Sequence, residues 1–313
     1  MAKKTAPKYR ILSFDGGGLR GLLSLELLRR VCEKTEKAKD WYVQSDLFAG
    51  TSTGGLIALG LADGKNIEEI KEFYTGAGPK IFNRKTFYYF TSLLRFTHIG
   101  YRRDLLEKTL IAMFGDKKID ALKKRVMVVS FDLNKEASPG RFVWQPKVIH
   151  NFPFRLDDVS IVDAGLSTSA APTYLPSRES LIDGGVCANN PAMCALTQVL
   201  DDRGENKVRN VEDIVMVSIG TGNNPAPIGV RNLDWGILKW NTRLLKLLND
   251  GGIKMVDYQC GRILKDRYLR IDVELKEKIE LDDVTKLDEI MRIAAAVPEE
   301  QIREWAAWID KNW

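Results

Sequence analysis

Residues 47–60 read LFAGTSTGGLIALG. A short apolar run enters the turn Gly50-Thr51-Ser52-Thr53-Gly54 and leaves it as the small-residue segment LIALGLA, a pattern that predicts strand, sharp turn and helix. A serine at the centre of G-x-S-x-G in that setting has the form of a nucleophile elbow. The bend exposes the hydroxyl, the flanking glycines relieve crowding, and the helix N-terminus adds partial positive charge that favours alkoxide character. Such a serine needs a base. The chain has only two histidines, His98 and His150, neither in a segment of catalytic character.

The same arrangement occurs upstream. YRILSFDGG is a buried-strand pattern running into glycines, and LRGLLSLELLRRVCEKTEK follows with leucines at helical spacing. Further strands are expected at Val126–Leu133, Arg141–Gln145, around Asp183, at Ile214–Ile219 and at Tyr268–Leu275. Helical patterns occupy 66–78, 103–115, 158–171, 190–202, 238–264, 286–297 and 298–313. Alternating strands and helices predict an α/β fold, a mostly parallel sheet covered on both faces, with sites at the C-terminal strand ends. No repeat or linker divides the chain. One domain is expected over 8–313, with a motif-bearing core at 8–200 and a helical C-terminal part at 230–313.

With 44% hydrophobic and 28% charged residues in 313, the composition is that of an ordinary globular protein. No uncharged apolar run reaches the roughly 18 residues of a membrane span. The start, MAKKTAPKYR, has no apolar stretch behind its charges, so a cytoplasmic protein without signal peptide or transmembrane segment is expected, or one exported by a route that leaves no Sec-type signal. A formal charge of +5 suits an anionic membrane surface but lacks the dense basic stripe of a nucleic-acid binder. The four cysteines, Cys32, Cys187, Cys194 and Cys260, are scattered and read as free thiols. No metal is expected, calcium included, and no cofactor.

Two more glycine-marked turns carry chemistry. Asp15-Gly16-Gly17-Gly18-Leu19-Arg20-Gly21 contains G-x-G-x-x-G between a strand and a helix, which is also a dinucleotide-binding pattern. A nucleotide-binding protein is therefore a rival reading. In that fold, however, the next strand ends in an acid that holds the ribose, whereas here it ends at GTSTGG. Backbone N–H groups near Gly17 and Gly18 serve equally to stabilise an oxyanion. The third turn, Ile182-Asp183-Gly184-Gly185, is either a plain turn or the missing base. A carboxylate within reach of Ser52, its pKa raised by desolvation, can take a proton from a hydroxyl and later from water.

In that order and in those contexts, DGGGLRG, GTSTGG and DGG resemble the patatin-like phospholipase family, over about residues 8–200. The resemblance implies a three-layer α/β sandwich and a Ser/Asp dyad that hydrolyses acyl esters of membrane lipids, as a phospholipase A or lysophospholipase does, in transient contact with the membrane surface. By position it makes Ser52 the nucleophile, Asp183 the general base and Gly16, Gly17 and Gly18 the oxyanion loop. Arg20 falls where related phospholipases also carry a basic residue. A cation in the first turn of a helix opposes the macrodipole, so Arg20 is either a surface residue without a task or a partner for a lipid phosphate. The segment TSAAPTYLP, 168–176, resembles the stretch preceding the dyad aspartate and reads as a packed wall with no catalytic role.

Two aromatic groups have open readings. KTFYYFTSLLRF at 85–96 fits a core segment or a membrane-facing flap. Trp305, Trp308 and Trp313 fit a docking face or a lipid anchor. A transacylase or non-hydrolytic binding protein on the same fold is the remaining alternative, and the sequence leaves open any regulatory ligand or protein partner.

Overall fold

The computed structural model describes residues 8–36, 39–82, 101, 103–153, 157–201, 210–223 and 237–313, with the side chains of the last range described at 244 and from 246 onward. His98 and the aromatic stretch 85–96 lie outside the described residues. The strands are β1 (Tyr9–Phe14), β2 (Leu47–Thr51), β3 (Arg125–Ser138), β4 (Arg141–His150), β5 (Leu181–Asp183), β6 (Ile214–Ile219) and β7 (Tyr268–Ile271). The helices are α1 (Gly21–Lys34), α2 (Thr53–Ala62), α3 (Ile67–Glu72), α4 (Gly78–Ile81), α5 (Arg103–Phe114), α6 (Ile161–Thr168), α7 (Gly185–Ala188), α8 (Ala192–Leu200), α9 (Ile237–Leu264), α10 (Leu287–Ala296) and α11 (Glu299–Asn312).

All seven strands form one sheet of order β4-β3-β2-β1-β6-β7, with β5 also paired to β3. The pairs among β3, β2, β1, β6 and β7 are parallel, and β4 and β5 run antiparallel to β3. Continuous apolar runs in the central strands follow from burial on both faces. Leu12, Phe14, Phe48, Val217 and Ile219 pack into one core with α1, α2, α6, α10 and α11. Ile11, Leu47, Ala49, Ile214 and Met216 pack into the other with α8 and the end of α9.

Beta3 outruns its neighbour, and this overhang positions the site. Beta2 pairs with β3 up to Thr51 opposite Val129. The next β3 residue, Ser130, pairs with Asp183 of β5, which runs the other way. Because β4 occupies the opposite edge of β3 throughout this stretch, β2 and β5 share one lane and their ends meet head to head.

The helical pattern at 66–78 is interrupted. Helix α3 gives way to a π-helical segment at Phe73–Ala77 before α4 begins. Pro79 has no N–H to donate, and the glycines at 76 and 78 lower the preference for a regular helix there. The C-terminal tryptophans dock rather than protrude. Trp305 is buried, Trp308 donates its indole N–H to the Asp266 carbonyl, and Trp313 meets Trp41 edge to face at 5.0 Å between ring centroids.

The far end of the sheet is tied to the first glycine turn by a buried ion network. Arg270 on β7 donates to both carboxylate oxygens of Asp15, at 3.0 and 2.6 Å, and also to Ser218 and Asp272. Burial pushes the Asp15 carboxyl upward and Arg270 pulls it back. Burial likewise works against the Arg270 charge, but Asp15 and Asp272 outweigh it, so the guanidinium is held charged. Removing one partner of such a pair leaves the other uncompensated, typically at a cost of about 3–5 kcal/mol. Arg270→Leu is expected to lower unfolding free energy by about that amount. The deficit should widen as pH rises above about 6, where Asp15 of the folded wild type loses its proton while the unpaired Asp15 of the folded variant, its pKa higher still, keeps it. Denaturant melts of wild type and variant at pH 4 and pH 8 measure both effects.

Candidate active site

Ser52 follows the last residue of β2 and precedes α2, with φ 54° and ψ −124°. That positive φ is costly for a residue with a side chain and persists only where the surroundings enforce it. The surroundings are glycine backbone. A Cβ on Gly50 would lie 2.1 Å from the Gly54 carbonyl oxygen, and one on Gly54 would lie 2.2 Å from that of Phe14. Helix α2 can therefore start directly against β1 and β2, with the elbow wedged between them.

Hydrogen bonds brace the bend. The Ser52 N–H donates to Thr168 Oγ1 at 2.9 Å, and that hydroxyl donates to the Val129 carbonyl at 2.5 Å. Thr51 Oγ1 donates to the Ala188 carbonyl, and the Thr53 and Tyr74 hydroxyls bond each other. Thr168 thus links the end of α6 to β3 at the level where β2 and β5 converge. Its segment was legible as a wall of the site; its brace on the serine backbone was not, because a threonine in a small-residue run carries no spacing signal.

Asp183, the last residue of β5, is buried, and the Ser52 hydroxyl faces its carboxylate. Burial pushes the Asp183 carboxyl up to about 6, while the Ser52 hydroxyl and the Gly185 N–H, which donates to Oδ1 at 2.7 Å, favour the charged form. No cation is among the groups that set this value. A Cβ on Gly184 would lie 2.3 Å from the Val129 carbonyl oxygen, so glycine there lets the D-G-G turn close over β3.

The first glycine turn forms the adjoining wall. Gly16 has both backbone groups engaged: its N–H donates to the Asn189 carbonyl at 2.9 Å, and its carbonyl accepts from Asn189 Nδ2 and Thr221 Oγ1. It shapes the loop and has no donor left for a ligand. The N–H groups of Gly17 and Gly18 have no backbone acceptor among the described residues. Gly18 has φ 58°, and a Cβ on it would lie 2.2 Å from the Leu281 carbonyl oxygen, while one on Gly17 would collide with Thr221. Asn189 and Thr221 are functional contacts that motif reading did not single out, since both act through the backbone of a third residue.

Ser52, Asp183, Gly17, Gly18 and Arg20 all line one cavity of about 560 Å³. Its other walls include Leu56, Phe73, Ile81, Phe82, Leu106 and Leu175, with Leu248 and Met255 of α9. Arg20 donates Nη1 to the Gly222 carbonyl at 3.2 Å, and its Nε is buried without a partner among the described residues. Burial lowers its pKa, and Asp272, Asp250 and other acids oppose that shift. His150 lies apart from the cavity, buried against Phe152, and accepts the Phe152 N–H through Nδ1. The four cysteines are unpaired. No cluster of three or more metal-ligating side chains occurs among the described residues, and no described helix is long and apolar enough to cross a membrane. Beta2 runs into the elbow and not into an acid, so the ribose-binding feature of the nucleotide reading is missing where that fold requires it.

Comparison with known proteins places these features in a family. The profile of the patatin-like phospholipase family matches residues 12–196. Patatin-like protein 2 of Arabidopsis thaliana is 29% identical over 300 residues, which span 82% of this chain and 72% of that protein. A cGAMP-activated phospholipase of Vibrio cholerae is 33% identical over 236 residues, spanning 68% of this chain and 64% of that protein. Among solved structures, VipD from Legionella pneumophila aligns over 98% of this chain and 67% of its own, with TM-score 0.47 and 12% identity. The elbow serine, the glycine turn and the D-G-G carboxylate all fall within the matched span, and this chain belongs to the patatin-like phospholipase family.

Proposed function

We propose that the protein is a lipid acyl hydrolase of the phospholipase A or lysophospholipase type, working through a Ser52/Asp183 dyad. The observation that carries this reading is that the Ser52 hydroxyl faces the Asp183 carboxylate on the wall of an apolar cavity, beside the Gly17 and Gly18 N–H groups, which have no backbone acceptor among the described residues. Family membership and the phospholipase named among the relatives support it.

In the proposed reaction Ser52 Oγ attacks the ester carbonyl carbon as its proton passes to Asp183. The carbonyl oxygen becomes an oxyanion and takes hydrogen bonds from the N–H groups of Gly17 and Gly18. Collapse expels the lipid alkoxide, which recovers the proton from Asp183, and leaves an acyl-serine. Water then gives its proton to Asp183 and attacks the acyl carbon, and fatty acid departs as the proton returns to Ser52. Burial makes Asp183 a stronger base than an exposed carboxylate, narrowing its mismatch with a serine hydroxyl. Arg20, charged at the cavity wall with a spare Nε–H, is proposed to hold the phosphate of the substrate. The proposed site of action is the cytoplasmic membrane surface.

Ser52→Ala and Asp183→Asn are each expected to abolish release of free fatty acid from phospholipid vesicles while leaving the folded structure intact. His150→Ala should retain turnover. Fatty acid release into water also separates a hydrolase from a transacylase, which needs an acceptor alcohol. Turnover of the wild type should rise with pH through about 6, the region where Asp183 loses its proton. A rate that is flat from pH 5 to pH 8 excludes Asp183 as the base.

The same shift sets a stability difference. A carboxyl whose pKa is raised on folding binds more protons folded than unfolded, so its contribution weakens as pH rises from about 4 to about 6. Asp183→Asn should therefore melt above the wild type at pH 8, by up to about 3 kcal/mol, with the gap closing toward pH 4. Thr168→Val removes the acceptor of the Ser52 N–H and should cost about 1–3 kcal/mol of stability. Its turnover should fall with little change in KM, measurable in the same vesicle assay.

A further inference from the structure

Helix α9 is apolar on two faces, and among the described residues only one of them packs into the core. Val256, Cys260 and Leu264 turn toward the core beneath the sheet. On the opposite side Leu244, Leu247 and Leu248, then two turns on Met255 and Tyr258, fall on one face and form one stripe. All five are exposed, Leu248 at 63%, Tyr258 at 60% and Met255 at 56%. An amphipathic helix on a globular protein normally turns charge toward solvent, so this outward face departs from the rule.

The stripe runs into the catalytic cavity. Leu248 and Met255 belong both to the exposed face and to the cavity lining, and Gly252 between them lines it too. Val186 of α7, 51% exposed, does the same, and α7 packs against α9. The apolar surface is therefore continuous from solvent to the wall that carries Ser52. Cationic groups border it: Lys254 is exposed, and Arg262 is exposed with its guanidinium over the Tyr258 ring, 5.4 Å from the centroid. The nearby acids are engaged, Asp250 by Lys246 and Asp257 by the Tyr268 hydroxyl.

Resting on the hydrolase reading above, we propose that the outer face of α9, with Val186, is the surface that docks on an anionic phospholipid bilayer and aligns the cavity mouth with it. An acyl chain leaving the bilayer through water exposes apolar surface at every methylene, whereas a mouth lying flush with the lipid removes that exposure. Exposed aliphatic and aromatic side chains with basic flanks are the chemistry of an interfacial helix. A second copy of the chain on this face would instead cover the exposed part of the cavity lining at Leu248, Met255 and Val186.

The test uses the full chain with Ser52→Ala, so that vesicles stay intact. It is expected to co-sediment with vesicles of phosphatidylcholine and phosphatidylglycerol more strongly than with phosphatidylcholine alone. Adding Leu247→Gln and Tyr258→Gln, which do not line the cavity, should lower the partition coefficient at least tenfold. In the active background the same pair should lose turnover on vesicles at least tenfold and retain hydrolysis of the water-soluble ester p-nitrophenyl butyrate. Equal partitioning of the two proteins, absence of vesicle binding by Ser52→Ala, or a dimer in sedimentation that the pair dissociates would each overturn the proposal. Partitioning of Ser52→Ala does not depend on catalysis, so failure of the wild type to cleave any ester counts against the hydrolase reading alone.

Discussion

The site rests on one constraint of strand geometry: β3 continues past the end of β2, and β5 fills the vacated lane from the opposite direction. Two chain ends arriving head to head cannot both continue. One turns away through the Ser52 elbow into α2, the other through Gly184 and Gly185 into α7. Register then does what side-chain flexibility could not do reliably. Thr51 and Asp183 pair with adjacent residues of β3, so the hydroxyl after Thr51 and the carboxylate of Asp183 are set facing each other by backbone hydrogen bonds along a third strand. Positions fixed by a sheet ladder are held more tightly than positions on a loop, which is what proton transfer over a short distance demands.

The glycine turn depends on a different part of the chain. Its loop is held from one side by Asn189, just past α7, and from the other by Thr221, past the end of β6. Below it, Asp15 is gripped by Arg270, and the Leu19 N–H is accepted by the Leu281 carbonyl. Residues beyond 200 therefore do more than cover the sheet. They set the height and tilt of the loop whose Gly17 and Gly18 N–H groups, in the proposed mechanism, receive the oxyanion. An error of about 1 Å in such donors is costly, because their value lies in being oriented before charge develops.

Much of this was legible in the sequence, and the boundary has physical causes. The three glycine turns announced themselves because backbone collisions exclude other residues at those points, and exclusion leaves a readable mark. The central strands were legible because burial on both faces makes them uniformly apolar. The lane shared by β2 and β5 was not, since β5 has only three residues and antiparallel entry leaves no periodic pattern. Arg270 was equally hidden: an arginine in RYLRIDVEL reads as a solvent-facing charge until its partner, 255 positions away, is known. The π-helical break at Phe73–Ala77 was hidden as well, because the pattern at 66–78 reads as one helix. It brings Phe73 and Tyr74 to the cavity wall, and Tyr74 to the hydroxyl of Thr53 beside the elbow.

In the proposed mechanism the apolar character of the cavity and the use of a carboxylate as base are one choice, not two. A solvated aspartate is protonated only near pH 4 and draws weakly on a serine proton. Placed in a wall built from leucine, isoleucine and phenylalanine, with a single backbone N–H close to it, the same group is pushed up to about 6. A cation beside Asp183 would undo that gain, and the arginine of the site stands elsewhere on the wall, tied to the Gly222 carbonyl. In the proposed reaction the part of the substrate that lies against Asp183 must be apolar, since a polar group there would bring water to the carboxylate and lower its basicity again. Acyl chains meet that condition: binding them dries the site, and drying the site strengthens the base.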